Sequence, residues 1–289
     1  VKLVKKVTVV DFRRKKERGE KIVIVTAYDY PFAKIVDEAG VDAILVGDSL
    51  SMVVMGYDST HRIGLREVIH HVKAVANARP RAMIIADMPF GSYEESPEKA
   101  LRNAIRLIRA GADAVKIEGG AEVGDVVKKL VRAGIPVMGH IGLNPQRHLI
   151  VGGYKLMGKN ANTALKILND AKVLEEAGVF AIVVEHTVAE VAKLITESVS
   201  VPTICIGSGP WCDGQVLVLH DILGLSNQTP YFAKMYADLR RIALEAVKMF
   251  VDDVKSGRFP SQEHYKSFGS KYLDELRKAL SKASSSDSQ

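Results

Sequence analysis

The sequence predicts a (β/α)8 barrel, or TIM barrel, with an N-terminal helix and a C-terminal helical extension. Three observations carry that reading. Short apolar runs recur, and each stops at a carboxylate or a histidine. They are Ala43-Ile44-Leu45-Val46-Gly47-Asp48, Ala82-Met83-Ile84-Ile85-Ala86-Asp87, Ala114-Val115-Lys116-Ile117-Glu118, Ile135-Pro136-Val137-Met138-Gly139-His140 and Ala181-Ile182-Val183-Val184-Glu185. Runs this short and this rich in Val and Ile suit strands buried on both faces, as in a parallel sheet. They alternate with helical segments at a repeat of about 30 residues, the pattern of successive βα units. The first strand is followed by Thr26-Ala27-Tyr28-Asp29, not by the Gly-rich fingerprint of an open doubly wound sheet.

Taken in order, Thr8 and Asp11 resemble a capping box opening a helix that Gly19 closes. Val9, Val10 and Phe12 face the body, and the Arg/Lys run after them is expected to face water. Ile22 to Thr26 reads as the first strand. A helix from Pro31 to Ala39 has Pro at its start and Gly40 at its end. The second strand ends at Asp48. Met52 to Ile63 has no period and is long for a barrel connection, so it is expected to cover something. Leu65 to Ala76 is a helix, and its His70 and His71 point about 100° apart, which rules out a joint ligand pair. The third strand ends at Asp87, the fourth at Glu118 and the fifth at His140. Helices begin at Ser96-Pro97-Glu98 and Glu122, and a Gly-rich loop runs from Gly152 to Gly158. The helix Ala161 to Ala177 leads to the sixth strand, ending at Glu185. The helix Val188 to Glu197 precedes strands at Thr203 to Ile206 and Val216 to Leu219. A long helix, Phe232 to Lys255, closes the unit. The expected division is a barrel over residues 1–256 and an extension over 257–289, whose Ser-rich end reads as disordered.

Composition excludes several classes. The chain has 289 residues, 47% hydrophobic and 26% charged, enough for a sizeable core. No apolar run approaches the roughly 18 residues of a membrane span, and the start shows no signal-peptide core. The net charge of +6 is interleaved along helices. Without a clustered basic face or motif support, no nucleic-acid partner is expected. Cys205 and Cys212 sit seven apart, which is no zinc spacing. They are expected to be a small buried residue and a loop thiol in a reducing cytoplasm.

The strand ends are the candidate site. In a parallel barrel the active site is built at that end, and a polar group there is costly to bury without a function. Asp48 and Asp87 would converge from neighbouring strands. Paired carboxylate oxygens suit Mg²⁺ or another divalent cation, which keeps positions open for a chelating substrate. The bland reading of either Asp is a loop cap or a partner for Lys116. Glu118 is a third ligand, reached through water, or a Lys116 partner. Lys116 and Glu118 are two apart and face one side of their strand, where a lysine needs a carboxylate or an anionic substrate. His140 either bonds that group or serves packing. Glu185 stands apart as the free carboxylate able to act as a base, or else pairs with Lys193. Gly207-Ser208-Gly209 reads as a possible phosphate nest, and Asp213-Gly214-Gln215 as a turn.

Eight stretches in register resemble the ketopantoate hydroxymethyltransferase family: Thr26-Ala27-Tyr28-Asp29, Val46-Gly47-Asp48-Ser49, Gly56-Tyr57-Asp58-Ser59-Thr60, Ala86-Asp87-Met88-Pro89-Phe90, Val115-Lys116-Ile117-Glu118-Gly119-Gly120, Gly139-His140-Ile141-Gly142-Leu143, Gly152-Gly153-Tyr154-Lys155 and Asp213-Gly214-Gln215. The resemblance implies a cytoplasmic barrel enzyme of pantothenate and coenzyme A biosynthesis. Such an enzyme joins a one-carbon unit from 5,10-methylenetetrahydrofolate to 3-methyl-2-oxobutanoate (α-ketoisovalerate). It implies Mg²⁺ on Asp48 and Asp87 with Glu118 beside them, and substrate contacts from Ser49 and Lys116; Asp48, Asp87 and His140 are expected to line the substrate as well. It implies Glu185 as the base, and a homo-oligomer, octameric or decameric, with small-molecule substrates. His61-Arg62 and Ser208 depart from the family's usual residues.

Two rivals remain. One is another Mg²⁺-dependent 2-oxo-acid lyase or mutase on a similar barrel. That type has a Lys-Lys-Cys-Gly-His loop, whereas here Gly119-Gly120 follows the fourth strand. The other is a non-catalytic metabolite-binding barrel, which would gain nothing by burying five strand-end polar groups.

Overall fold

The computed structural model describes residues 5–226 and 228–286, with the side chains of 284–286 left undescribed. Eight parallel strands close into a barrel in sequence order: β1 (Ile22–Thr26), β2 (Ala43–Val46), β3 (Met83–Asp87), β4 (Ala114–Glu118), β5 (Val137–Gly142), β6 (Ala181–Glu185), β7 (Thr203–Ile206) and β8 (Gly214–Leu217). β8 pairs with β1 to complete the ring. Alternation along each strand separates two cores. Ile24, Leu45, Met83, Ile85, Met138, Val183, Ile204 and Val216 fill the barrel interior. Ile44, Val46, Ile84, Ala86, Val115 and Ile117 face outward onto the surrounding helices. Side chains two residues apart share a face. Interior positions 83 and 85 therefore put Asp87 inside, and Ala114 puts Lys116 and Glu118 inside.

The helices form where apolar stripes and caps coincide. Asp29 caps Tyr30–Glu38 by accepting from the Phe32 N–H, and Ser96 caps Pro97–Arg109 by accepting from the Lys99 N–H. Asn160 opens Ala161–Ala177, and Gly178 closes it in the left-handed conformation. The capping box of Thr8 and Asp11 opens Val9–Glu17.

That first helix lies at the N-terminal end of the barrel, where Phe12 is fully buried and meets Phe180 edge-on at 5.5 Å. The Arg/Lys run does not all face water. Lys15 pairs with Asp42 at 2.7 Å and Lys16 with Asp213 at 3.0 Å. Lys6, ahead of the helix, pairs with Asp113 at 2.9 Å. Each Asp directly precedes a strand and also accepts a strand backbone N–H, from Val23, Thr203 and Ile84 respectively. These lysines satisfy carboxylates that already order the strand starts, which a helical charge run does not reveal.

Three further details differ from expectation. The connection after β2 holds the short helix Leu50–Val53 and a 3-10 turn, Thr60–Arg62. β8 begins two residues earlier than its apolar run suggests. The long helix starts at Leu239, seven residues later than expected, with Asp238 as its cap. Before it, the N–H groups of Tyr236 and Ala237 go to the Ile222 carbonyl and are unavailable for a helical ladder.

The chain divides into two compact units, Val1–Ala237 and Asp238–Gln289. The second comprises the helices Leu239–Lys255 and Gly269–Ser286 with a 3-10 turn, Gln262–His264, between them. Among the described residues no helix is long and apolar enough to cross a membrane.

Candidate active site

The C-terminal ends of β2 to β6 bring all of the predicted site residues to one cavity of about 840 Å³, lined by Asp48, Ser49, Asp87, Lys116, Glu118, His140 and Glu185 among others. Strand register sets them side by side: Asp87 stands opposite Lys116, and Glu118 opposite His140. All of these but Ser49 and Glu185 are buried.

Lys116 Nζ lies 2.5 Å from Asp87 and 3.4 Å from Glu118. Burial pushes its pKa down, but the charges of Asp87, Glu118 and Asp48 outweigh this and raise it, so the ammonium stays protonated. Asp87 uses its second oxygen to accept the Asp48 backbone N–H at 2.9 Å. Gly47 permits that approach, because a Cβ there would stand 2.9 Å from Ser49 Oγ and 3.3 Å from Asp87. Burial, then repulsion from Asp87 and Glu118, holds the Asp48 carboxyl well above the usual range. A carboxylate in that state gains most from a cation placed beside it.

His140 stands between two carboxylates. Nδ1 is 3.3 Å from Glu118 and Nε2 is 3.1 Å from Glu185. Burial and the Lys116 charge pull its pKa down, but the two glutamates overcome them and raise it to about 9. Glu118 also accepts the Gln146 N–H at 3.0 Å, so both of its oxygens are engaged. Glu185 is the least buried of the group and meets His140, while Lys193 pairs with Glu197 instead. Ser49 shares a hydrogen bond of 2.8 Å with the Tyr28 hydroxyl.

Two residues with no strand-end signature complete the arrangement. Gln146, 2% exposed, donates to Asp48 at 2.8 Å and to the Met88 carbonyl at 3.1 Å. It accepts from the Tyr93 hydroxyl at 2.7 Å, and thereby fixes the Asp48 carboxylate. His186 follows Glu185 with φ 43°, a left-handed conformation uncommon for a non-glycine residue. The glycines after β7 allow close packing. A Cβ on Gly207 would meet Phe232 at 2.8 Å and one on Gly209 would meet Ala189 at 2.7 Å. The Ser208 hydroxyl is spent on the Thr187 N–H and the Val184 carbonyl. Cys205 and Cys212, expected as thiols, are joined in a disulfide across the β7–β8 connection.

Among the described residues no three His, Cys, Asp or Glu side chains converge as a metal-ligand set. The donor chemistry nevertheless fits Mg²⁺. Asp48 and Asp87 are adjacent buried carboxylates, Asp48 pushed toward its neutral form by burial and then by the neighbouring charges, and Mg²⁺ is commonly bound by one or two carboxylates plus waters and substrate oxygens.

A closed parallel barrel with a lysine-bridged cluster of acids and a histidine at its C-terminal mouth defines a (β/α)8-barrel enzyme of acid–base carbon chemistry. The sequence model of the family described as ketopantoate hydroxymethyltransferase matches residues 6–262, and the chain belongs to that family. A relative from Ignicoccus hospitalis, named 3-methyl-2-oxobutanoate hydroxymethyltransferase, is 63% identical over 261 residues, 90% of this chain and 99% of the relative. One of the same name from Sulfurisphaera tokodaii is 58% identical, covering 91% and 98%. Among solved structures, a phosphonopyruvate hydrolase in complex with oxalate and Mg²⁺ has a TM-score of 0.58 at 15% identity, covering 96% of each chain. A 2,3-dimethylmalate lyase of the PEP mutase/isocitrate lyase superfamily has a TM-score of 0.55 at 18% identity, covering 95% and 98%. These two likenesses show the barrel fold.

Proposed function

We propose that the chain transfers a hydroxymethyl group from 5,10-methylenetetrahydrofolate to 3-methyl-2-oxobutanoate, giving ketopantoate for pantothenate and coenzyme A biosynthesis. The observation that carries this is the placement of Glu185, the most accessible carboxylate of the cluster, across the mouth from the Asp48–Asp87 pair. Asp48 and Asp87 would hold Mg²⁺, with Glu118 reaching it through water. The bound metal supplies Lewis acidity toward the keto and carboxylate oxygens of the substrate. Lys116 places a fixed positive charge beside the same oxygens, where negative charge develops as the enolate forms. Ser49, oriented by Tyr28, binds the substrate carboxylate. Glu185 takes the proton from C3. His140 contacts Glu185 and holds its carboxylate over that carbon. Opening of the N5–CH2–N10 bridge gives an iminium, and water breaks its remaining C–N bond to release formaldehyde and tetrahydrofolate. The C3 enolate carbon adds to that formaldehyde while the new alkoxide takes back the proton held by Glu185.

The same reading takes the enzyme as a cytoplasmic homo-oligomer, octameric or decameric. Helix Leu239–Lys255 supports an assembled form, because it leaves Ile242, Val247, Met249 and Phe250 exposed, and exposed apolar patches mark interaction surfaces. Ketopantoate formation from the two substrates with Mg²⁺, and its loss in Glu185→Gln, tests the reading.

A further inference from the structure

The cavity extends well beyond the acid–base cluster. Besides that cluster it is lined by Asp221, Leu225, Ser226, His186, Tyr231 and Phe232. At about 840 Å³ it lies in the upper part of the range for drug-sized ligands, far more than a five-carbon ketoacid fills. Under the function proposed above, the remainder must receive the carrier of the one-carbon unit, a flat fused heterocycle.

Two features of this lining take no role in ketoacid chemistry. The first is Asp221. It lies on the short helix Leu219–Ile222 directly after β8 and is 5% exposed. Among the described residues its hydrogen-bond partner is the Ser226 hydroxyl, which donates to Oδ1 at 2.5 Å. Burial raises its pKa against the opposing effects of Ser226 and His220. A carboxylate buried at a cavity wall without a Lys or Arg is costly unless a ligand brings donors to it.

The second feature is a wall of three rings. His186 stands 5.8 Å from Tyr231 and 5.9 Å from Phe232, and the last two meet edge-on at 5.5 Å. Tyr231 is 80% exposed, so its ring is open to stacking. The His186 backbone is held in its left-handed turn from both sides: its N–H donates to the Ile206 carbonyl, and its carbonyl accepts from the Met157 N–H. Strain retained in this way clusters at ligand sites. The segment bearing Tyr231 and Phe232 is tied to the helix bearing Asp221 through the Tyr236 N–H and the Ile222 carbonyl at 2.8 Å.

The geometry points to Asp221 as the anchor of the pterin head of the one-carbon carrier, with His186, Tyr231 and Phe232 as the face on which its ring stacks. A 2-amino-4-oxopteridine presents two N–H groups side by side, ring N3–H and the 2-amino group. A single carboxylate accepts both as a bidentate, charge-assisted pair. The reactive N5–N10 edge lies at the other end of the ring system. Glu185 and His186 line the same cavity, so a ring stacked on His186 shares that cavity with the candidate base.

The test compares two non-reactive probes by calorimetry, with Mg²⁺ and α-ketoisovalerate present. One is 5-deazatetrahydrofolate, which cannot form the methylene bridge. The other is its 2-desamino-2-methyl analogue. The wild-type protein should bind the first roughly tenfold to a hundredfold tighter, because the analogue keeps N3–H but sets a methyl group against the second oxygen of a buried carboxylate. Asp221→Asn should abolish that preference. Tyr231→Ala, at the exposed rim where folding is not at stake, should weaken both probes alike. Equal binding of the two probes by wild type, or full preference retained in Asp221→Asn, overturns the assignment. Deuterium exchange of α-ketoisovalerate by wild type without folate separates the two claims. Exchange without any 2-amino preference overturns Asp221 alone. No exchange and no binding of either probe overturns the functional reading and this inference with it.

Discussion

His140 Nε2 lies 3.1 Å from the Glu185 carboxylate, and its other nitrogen lies 3.3 Å from Glu118. One imidazole from β5 therefore joins the candidate base on β6 to the acidic cluster on β3 and β4. With its pKa raised to about 9, His140 is a cation between two anions at neutral pH. That cation holds Glu185 in place, and through Glu118 it reaches Lys116 and Asp87.

The first prediction concerns the base. Glu185→Gln keeps the shape and the contact with His140 but cannot take a proton. Exchange of the C3 proton should fall by about 10²- to 10⁴-fold, while calorimetric binding of α-ketoisovalerate with Mg²⁺ persists. Normal turnover by this variant would remove Glu185 from the role.

The second concerns the acidic pair. Mg²⁺ should raise the unfolding temperature of the wild type, since a ligand at 100 times its Kd stabilises by about 2.7 kcal/mol. Asp87→Ala should lose that shift, because it removes one carboxylate and frees Lys116 to face Asp48. An equal Mg²⁺ shift in both proteins would place the cation elsewhere.

The third concerns the opposite end of the barrel. Lys16 donates to Asp213 at 3.0 Å and to the carbonyls of Thr196, Val199 and Val201. Lys16→Met takes the cation from a largely buried carboxylate that keeps only its Thr203 donors, and removes a donor from the three carbonyls, for a loss of about 1–3 kcal/mol. Denaturant unfolding should record the loss while kcat stays at the wild-type value, because the active site is at the other end.

The fourth concerns the disulfide. Cys205 and Cys212 close a short loop for which the chain-entropy account gives about 2–3 kcal/mol. Intact mass after alkylation without reductant should show neither cysteine modified. Cys212→Ala should lower the unfolding temperature. Two alkylated cysteines in the native protein would contradict the bond.

Much of the barrel is legible in the sequence because each strand is a doubly buried apolar run ended by a charge, and Gly or Pro punctuates the helices. The same feature exposes Asp48, Asp87, Glu118, His140 and Glu185. Gln146 is invisible by that rule, since it lies in an aperiodic loop and owes its role to contacts with Asp48 and Tyr93. His186 is hidden because its importance lies in a backbone angle. The direction of Lys15 and Lys16 depends on how the first helix docks, which their spacing does not encode. A separation of seven residues likewise says nothing of the 5.6 Å between the Cys205 and Cys212 Cα atoms.

The most direct test of the central claim follows α-ketoisovalerate by proton NMR in D₂O with enzyme and Mg²⁺, without folate. The account predicts that the methyl doublet collapses to a singlet as deuterium enters C3, and that EDTA prevents it. A doublet that persists, both alone and after 5,10-methylenetetrahydrofolate is added, with no ketopantoate formed, would contradict it.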